Sequence, residues 1–401
     1  MRKNYIIILL LFFICLSFLF LPQISALEVN AEEKTEQEIE QELNENIDEQ
    51  IGGIDFTQIQ DILDGLDDKS SSVFEEASFL DKVSKILDGE FGDEYSTLFE
   101  AVLNTVFSEV LNFIPILATV VAITVLCSMV GNLRGKEGNE SIGQIVQFIA
   151  FSVVVVIVSV AVFGLLKDAQ NLITSIKSQM EVIFPVLLTL LASVGGAVSV
   201  GIFQPAVAIL SGFVVHIFFS VIVPIFIFLF VFIVVGNFSN NVKLDKIISF
   251  LQSLLKWICG ICFSVFMSVL LMQGIVAGSF DSVSVKAMKF AIKSYVPILG
   301  GYLSDGFNMV MASSILIKNA VGMAGVLLLF ASVLAPVIKI IISILGLKLC
   351  AGILEPITES RVPNFLQQIA KTLNLLVMII LGITFMYVIT VGLILCSTNV
   401  L

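Results

Sequence analysis

The sequence predicts an all-α polytopic membrane protein, and three observations lead to that class. Of the 401 residues, 57% are hydrophobic and only 13% are charged, whereas about 25% of the residues in a soluble domain are charged. Apolar runs of about 20 residues, long enough to span a bilayer as a helix, recur along the chain. Short sequences around prolines also return at a fixed distance, as they do in membrane proteins built from internal repeats.

The chain begins with the parts of a secretory signal. A basic start is followed by an apolar run over 5–21 and by small residues that end at Ala26. This order predicts a signal peptide over 1–26. An uncleaved signal anchor is the alternative, because Ile24 is larger than the residue preferred at that place. In either case we expect the residues that follow to lie on the extracytoplasmic side.

An acidic region comes next. Residues 28–110 hold 24 of the 33 acidic side chains and only four of the 21 basic ones. Over 27–50, isolated apolar residues recur every four positions at Ile39, Leu43 and Ile47. Such a stripe is too narrow to bury a core, so we expect an acidic, solvated and partly helical tether.

Apolar positions become denser over 51–110 and predict a small extracytoplasmic region of two or three amphipathic helices. Asp81 is placed to cap the start of one of them, and Gly89 is placed to end it. Two interpretations stay open for this region. It is either a docking surface for extracytoplasmic partners or a soluble cap packed on its own membrane domain.

Eight apolar segments are long enough to enter or cross a membrane. The first two are ordinary transmembrane helices within 111–180. Whether 181–200 and 293–312 cross the membrane or re-enter it is left open. The predicted segments cover 111–130, 144–166, 181–200, 203–236, 257–279, 293–312, 315–347 and 372–396.

The prolines define two similar units, 181–280 and 281–401. The sequences around Pro185 and Pro224 return 112 residues later around Pro297 and Pro336. Each unit holds three predicted segments. Because an odd number of crossings would place the second unit upside down, we interpret the pair as an inverted three-segment repeat.

Flexible and polar residues in the two proline-led segments are the candidates for a translocation path or gate. Gly195 and Gly196 make local unwinding cheap. Asp305 places a carboxylate where the chain enters the membrane, and Lys318 is its candidate partner. The alternative is that lipid headgroups hydrate both charges. The candidate set is Pro185, Gly195, Gly196, Pro205, Pro297, Gly300, Gly301, Asp305, Asn308, Lys318 and Asn319.

Motifs for enzymatic chemistry are missing from the sequence. It contains no Walker loop, zinc-protease helix, nucleophile elbow or glycine-rich dinucleotide turn. Cys259 and Cys262 have the spacing of a redox pair, but they lie in an apolar run, so we interpret them as helix residues. Nucleic acid is a poor ligand for an acidic outer region, because the phosphate backbone would be repelled. We therefore predict no catalytic residue, metal, cofactor or nucleic-acid partner.

Three blocks of sequence carry a family resemblance: 187–205, 295–305 and 313–322. They closely resemble the stage III sporulation protein AE family, and the resemblance extends over the signal-like start and most of the chain from about Leu98. The acidic stretch matches poorly in detail. Gln204 stands where the family pattern leads us to expect His, which argues against a required imidazole beside Pro205.

The resemblance implies a specific role. Members of this family are non-enzymatic multi-pass subunits of a channel, or feeding tube, that joins the mother cell to the forespore and sustains late forespore gene expression. The implied location is the mother-cell membrane. The implied partners are the other membrane, ring-forming and ATPase subunits of that complex, together with the lipid bilayer. Two alternatives remain: a secondary transporter that moves a small solute through the same repeats, and a purely structural anchor.

Overall fold

The computed structural model describes residues 36–65, 78–88, 94–135, 140–238, 244–295, 300–358 and 360–397. All regular structure in these ranges is helical, which confirms the all-α class. Six of the helices are long and apolar enough to cross a membrane, as a polytopic membrane protein requires. The predicted signal peptide lies outside the described residues.

Among the described residues, three short helices lie in the N-terminal region: α1 (Glu36–Gly52), α2 (Thr57–Asp64) and α3 (Phe79–Leu87). α3 begins with a capping box. The Ser78 Oγ accepts a hydrogen bond from the Asp81 N–H at 3.1 Å, and the Asp81 carboxylate accepts one from the Ser78 N–H at 3.0 Å. Ser78 is therefore the N-cap, and Asp81, which we expected there, occupies the third helical position. The predicted stop at Gly89 lies outside the described residues.

Helix α1 is docked along one side, which corrects the prediction of a solvated tether for residues 36–50. Ile47 and Ile51 are buried in the main hydrophobic core, and Leu43 packs against it. The apolar stripe that looked too narrow to form a core of its own is enough for contact with a neighbouring helix.

Within the described ranges, seven longer helices form the body. They are α4 (Glu94–Gly135), α5 (Glu140–Ser193), α6 (Ala197–Ile217), α7 (Val223–Phe238), α8 (Asp245–Tyr295), α9 (Gly300–Leu354) and α10 (Arg361–Cys396). A π-helical turn, Phe218–Ile222, joins α6 to α7 without a break.

Two helices each take up parts of two predicted segments. α5 contains 144–166 and continues to Ser193, while α9 runs from Gly300 through 315–347. The described residues thus form six long apolar helices where the sequence suggested eight segments. The polar stretch that separated two of those segments stays helical because its apolar residues, such as Ile173 and Ile176, remain buried on one face.

The long helices alternate in direction. Contacts between α5 and α9, and between α5 and α7, show that both partners are antiparallel to α5. These contacts are Asp168 with Lys339 and Gln179 with Ser332 for α9, and Phe163 with Phe230 and Phe148 with Phe238 for α7. Helices α7 and α9, which carry the second proline of each unit, therefore run in the same direction.

This arrangement differs from the expected inverted repeat. Pro185 lies inside α5 and starts no new crossing. Only two long passages, α6–α7 and α8, separate the end of α5 from α9. An even number of passages preserves direction, so the helices of the two units run in the same direction and are not inverted.

The centre of the body is formed by α9 and α10. Helix α9 packs against α4, α5, α8 and α10, and also against α1 and α3 of the N-terminal region. Tyr387 of α10 is fully buried, with its ring 5.2 Å from the ring of Phe184 on α5. Large apolar side chains on α4, on the first half of α5 and on α6–α8 are exposed at the outside, as expected for a surface that meets lipid.

Candidate functional site

The segment Ser313–Gly322 of α9, which we call the hub, fixes the N-terminal region to the body. The Gln50 Nε2 donates a hydrogen bond to the Ser313 Oγ at 2.8 Å, and the Ser314 Oγ donates one to the Gln50 Oε1 at 2.6 Å. Both serines are buried. One amide of α1 therefore joins two hydroxyls of α9, and the N-terminal region is packed on its own membrane domain.

The hub also fixes the end of α10. Lys318 is buried, and its Nζ donates hydrogen bonds to the Leu395 carbonyl at 3.0 Å and to the Ile394 carbonyl at 3.4 Å. The last carbonyls of a helix have no intrahelical donor, and a cation there also interacts favourably with the helix dipole. Gly322 lies so close to this end that a Cβ would be 2.7 Å from a methyl carbon of Leu395.

The expected pairing of Asp305 with Lys318 is wrong. Both residues lie on one continuous helix, 13 positions apart, which separates their Cα atoms by about 20 Å. Two side chains do not bridge that distance. The Asp305 side chain itself lies outside the described residues. Asn308 is exposed on α9, and the Asn319 Oδ1 is buried with no hydrogen-bond partner among the described atoms.

Gly195 and Gly196 form the turn that ends α5. The Gly196 N–H donates to the Leu191 carbonyl and the Gly195 N–H to the Ala192 carbonyl, both at 3.0 Å, which is the bonding pattern of a Schellman motif. Gly195 has a φ of 88°, in the left-handed region. A Cβ on Gly196 would lie 2.8 Å from the Leu191 carbonyl oxygen, so this tight reversal requires both glycines.

The remaining candidates lie apart from the hub. Pro185 and Pro205 are exposed inside α5 and α6. Gly300 and Gly301 begin α9, and Pro297 lies outside the described residues. The candidate residues are thus distributed over the turn between α5 and α6, the start of α9 and the hub, and their role in a path or gate stays a prediction.

Sequence reasoning missed three contacts that hold the hub and its neighbours. Gln50 had a signal, because it lies beside Ile47 and Ile51 on one side of α1. The ion pair between Asp168 and Lys339, at 2.8 Å, joins residues 171 positions apart and had none. The same is true of the buried hydrogen bond from the Gln179 amide to the Ser332 hydroxyl. Within the described ranges, no three His, Cys, Asp or Glu residues are grouped to hold a metal ion.

Comparison with known proteins finds a family model whose matched range includes both the hub and the glycine turn. The family model for stage III sporulation protein AE matches residues 77–398, which is most of the chain. The chain belongs to the stage III sporulation protein AE family. A member from Bacillus subtilis (strain 168), stage III sporulation protein AE, is 24% identical over 303 residues, covering 75% of each chain. No solved structure matches the chain.

Family membership confirms the resemblance and gives the chain a sporulation role at a membrane. The match begins at residue 77, earlier than the expected Leu98, so it includes α3 as well as the body. Helices α1 and α2 precede it. The hub thus joins the matched part of the chain to a helix that lies before the match.

Proposed function

We propose that this protein is a non-enzymatic, multi-pass membrane subunit of the channel complex that links the mother cell to the forespore and supports late forespore gene expression. Membership of a sporulation family and six long apolar helices support this assignment. The protein lies in the mother-cell membrane that faces the forespore, and its acidic N-terminal region is extracytoplasmic.

The observation that carries the proposal is that the polar side chains of the hub bind other helices of the same chain. The Lys318 ammonium is bound by two carbonyls of α10, and Ser313 and Ser314 are bound by Gln50. A secondary transporter places polar groups at a substrate site near the midplane, typically on broken helices. Here α9 is continuous through the hub. This favours a subunit that works within a complex over a self-sufficient transporter.

The N-terminal region supplies a surface for extracytoplasmic partners. Its inner side is occupied by contacts with α9, while Glu45, Asp48 and Glu49 of α1 are exposed on its outer side. A ring-forming subunit with a basic face would be attracted to this acidic surface. In this topology the chain after α4, α7 and α9 turns on the other side of the membrane, where an ATPase subunit would bind.

A complementation assay combined with reconstitution tests the proposal. In a sporulating host that lacks its own copy, the chain should restore a late forespore reporter. The purified chain alone in liposomes should show no coupled uptake of small solutes. Coupled uptake that Asp305→Asn abolishes would overturn the proposal and support the secondary transporter.

The purely structural anchor needs a separate test. Gly195→Leu and Asp305→Asn are introduced, and assembly is measured by co-purification of the other subunits. Intact assembly with a blocked forespore reporter would contradict a mere anchor, because an anchor has no path to block. Normal reporter activity in both variants would remove these residues from the candidate path.

A further inference from the structure

The outward face of α5 changes character along the helix. Over its first half this face is apolar, and over its second half it is polar. The exposed residues are first Ile145, Ile149, Val153, Val156, Val160 and Phe163, and then Lys167, Asn171, Thr174, half-exposed Ser178 and Glu181. The spacing of three or four residues continues through the change, so a single face of one helix meets two different environments.

The polar stripe, Lys167–Glu181, lacks the exposed large apolar side chains of a lipid-facing surface. No large apolar side chain is exposed between Phe163 and Val198. Glu181 is 55% exposed and forms an ion pair with Lys177 at 3.3 Å. Charged groups in contact with lipid are costly, so a stripe of this composition faces water or lies outside the bilayer.

Neighbouring helices set the height of the stripe. A small cavity is lined by Met180 of α5, Val207 of α6 and Leu270 of α8, so these parts of the three helices lie side by side. Ile209 lies between lining residues of α6 and is 69% exposed, and Met272 lies two positions after Leu270 and is also 69% exposed.

At one height, therefore, the body presents large apolar side chains on α6 and α8 and polar side chains on α5. The apolar sides are those expected of a surface in contact with lipid. A stripe at the same depth that avoids lipid needs water or protein beside it, and water held within the membrane would hydrate its charged groups.

We infer that the polar stripe of α5 lines a water-filled path at membrane depth, suited to hydrated small polar solutes. The inference deepens the proposed function and rests on it for the direction of flow, although the stripe's contact with water is tested independently. The stripe carries basic and acidic side chains in close succession, Lys167 with Asp168 and Lys177 with Glu181, so its net charge is small and it favours neither sign strongly.

Cysteine accessibility in the full-length chain tests the inference. The six native cysteines are replaced by serine, and single cysteines are introduced as Asn171→Cys, Thr174→Cys and Ser178→Cys. Matched controls are Ile209→Cys and Phe213→Cys at the same height, and Val156→Cys on the apolar half of the same face. Proteoliposomes are treated with a charged, membrane-impermeant maleimide or with a lipid-soluble maleimide.

We expect the charged reagent to label the three stripe positions. The three control positions should not react with it and should react only with the lipid-soluble reagent. Stripe positions that fail to react with the charged reagent would overturn the inference, because they would then lie in protein or lipid. Charged-reagent labelling at Ile209 and Phe213 as well would also overturn it, because that height would then lie outside the bilayer.

The forespore reporter is measured with the unmodified chain and with the same variants. A labelling pattern as expected, with no restoration of the reporter by the unmodified chain, would overturn the proposed function and leave the water-facing stripe standing. Restored reporter activity with an unlabelled stripe would overturn the water-facing stripe and leave the proposed function standing. The two proposals therefore fail separately.

Discussion

The passage α6–α7 and helix α9 carry the same echo of prolines, yet they occupy different places in the body. α6–α7 begins after the Gly195 turn, contains a π-helical turn directly before Pro224 and exposes apolar side chains outward. α9 is an unbroken helix of 55 residues that continues past Pro336. In the most apolar 18-residue stretch of each passage, 56% of α9 is buried but only 39% of α6–α7. We therefore call α9 the central copy and α6–α7 the peripheral copy.

The difference shows two ways of accommodating a proline in a membrane helix. A proline removes one N–H donor and crowds the preceding turn. In the peripheral copy the wider π-helical turn just before Pro224 takes up this disturbance. In the central copy neighbouring helices hold the backbone in place. A repeated sequence therefore need not produce a repeated environment.

The largest expected effect comes from glycines that allow close packing of the central copy. A Cβ on Gly346 of α9 would lie 2.5 Å from a ring carbon of Phe113, whereas a Cβ on Gly212 of α6 would meet nothing within 4 Å. We expect Gly346→Ala to lower the free energy of unfolding by about 3 kcal/mol or more, the upper end of the cost of overpacking, because 2.5 Å is far inside van der Waals contact. Thermal stability measured by size-exclusion chromatography in detergent checks this.

Gly212→Ala is the matched control in the peripheral copy. Because alanine is the better helix former, this change should stabilise the protein by up to about 1 kcal/mol. The two substitutions are chemically identical, so opposite signs would support the assignment of central and peripheral copies. Equal destabilisation by both substitutions would contradict this assignment.

The second-largest effect is the difference in stability loss between substitutions of a buried and an exposed lysine of α9. Lys318→Met removes the donor to the last carbonyls of α10, and we expect a loss of about 1.5–3 kcal/mol, typical of hydrogen bonds to a charged group. Lys339→Met breaks an ion pair whose side chains are 46% and 33% exposed, which should cost less than about 1 kcal/mol. Chemical unfolding in detergent measures both, and a larger effect at Lys339 would contradict the role of the hub.

How far the sequence predicts this molecule depends on whether a feature is local. Helical class, apolar length and the glycine turn follow from neighbouring residues. The continuity of α5 did not, because Lys167 and Glu181 resemble a loop in a hydropathy profile although they occupy one face of a helix. Long-range contacts such as that of Lys318 with Leu395 have no local signal. The sequence therefore marked the hub as a motif but did not show which contacts it makes.

The turn that starts the peripheral copy gives a smaller effect. Gly195→Ala places a side chain in the left-handed region, which should cost about 1–2 kcal/mol. Gly201→Ala is the control, because a Cβ added at this position of α6 would meet nothing within 4 Å. This substitution should be neutral or stabilising. Thermal melting in detergent compares them. A Gly195→Ala protein as stable as Gly201→Ala would mean that the Schellman turn is not formed.

The smallest effect lies at the surface, where α3 packs against the central copy. Hydrogen bonds with the side chain and then the backbone N–H of Ser78 hold the pKa of Asp81 below its ordinary value. A carboxylate whose pKa is depressed by folding stabilises the folded state above the unfolded pKa, near 4, and this contribution is lost as pH falls through the lower folded pKa. Acidification should therefore loosen the start of α3 before it affects the body.

Ser78→Ala tests this mechanism, because it removes the hydroxyl that completes the capping box. We expect the Asp81 pKa to rise toward its ordinary value and the stability of α3 to fall by about 1 kcal/mol at neutral pH. Carboxyl-detected NMR of the detergent-solubilised chain, labelled at aspartate, measures the pKa directly. Asp55 is the internal control, since its pKa is lowered by Thr57 rather than by Ser78. If the Asp81 pKa stays low in Ser78→Ala, a source other than the capping box must hold the charge, and the pH sensitivity assigned to α3 would be wrong.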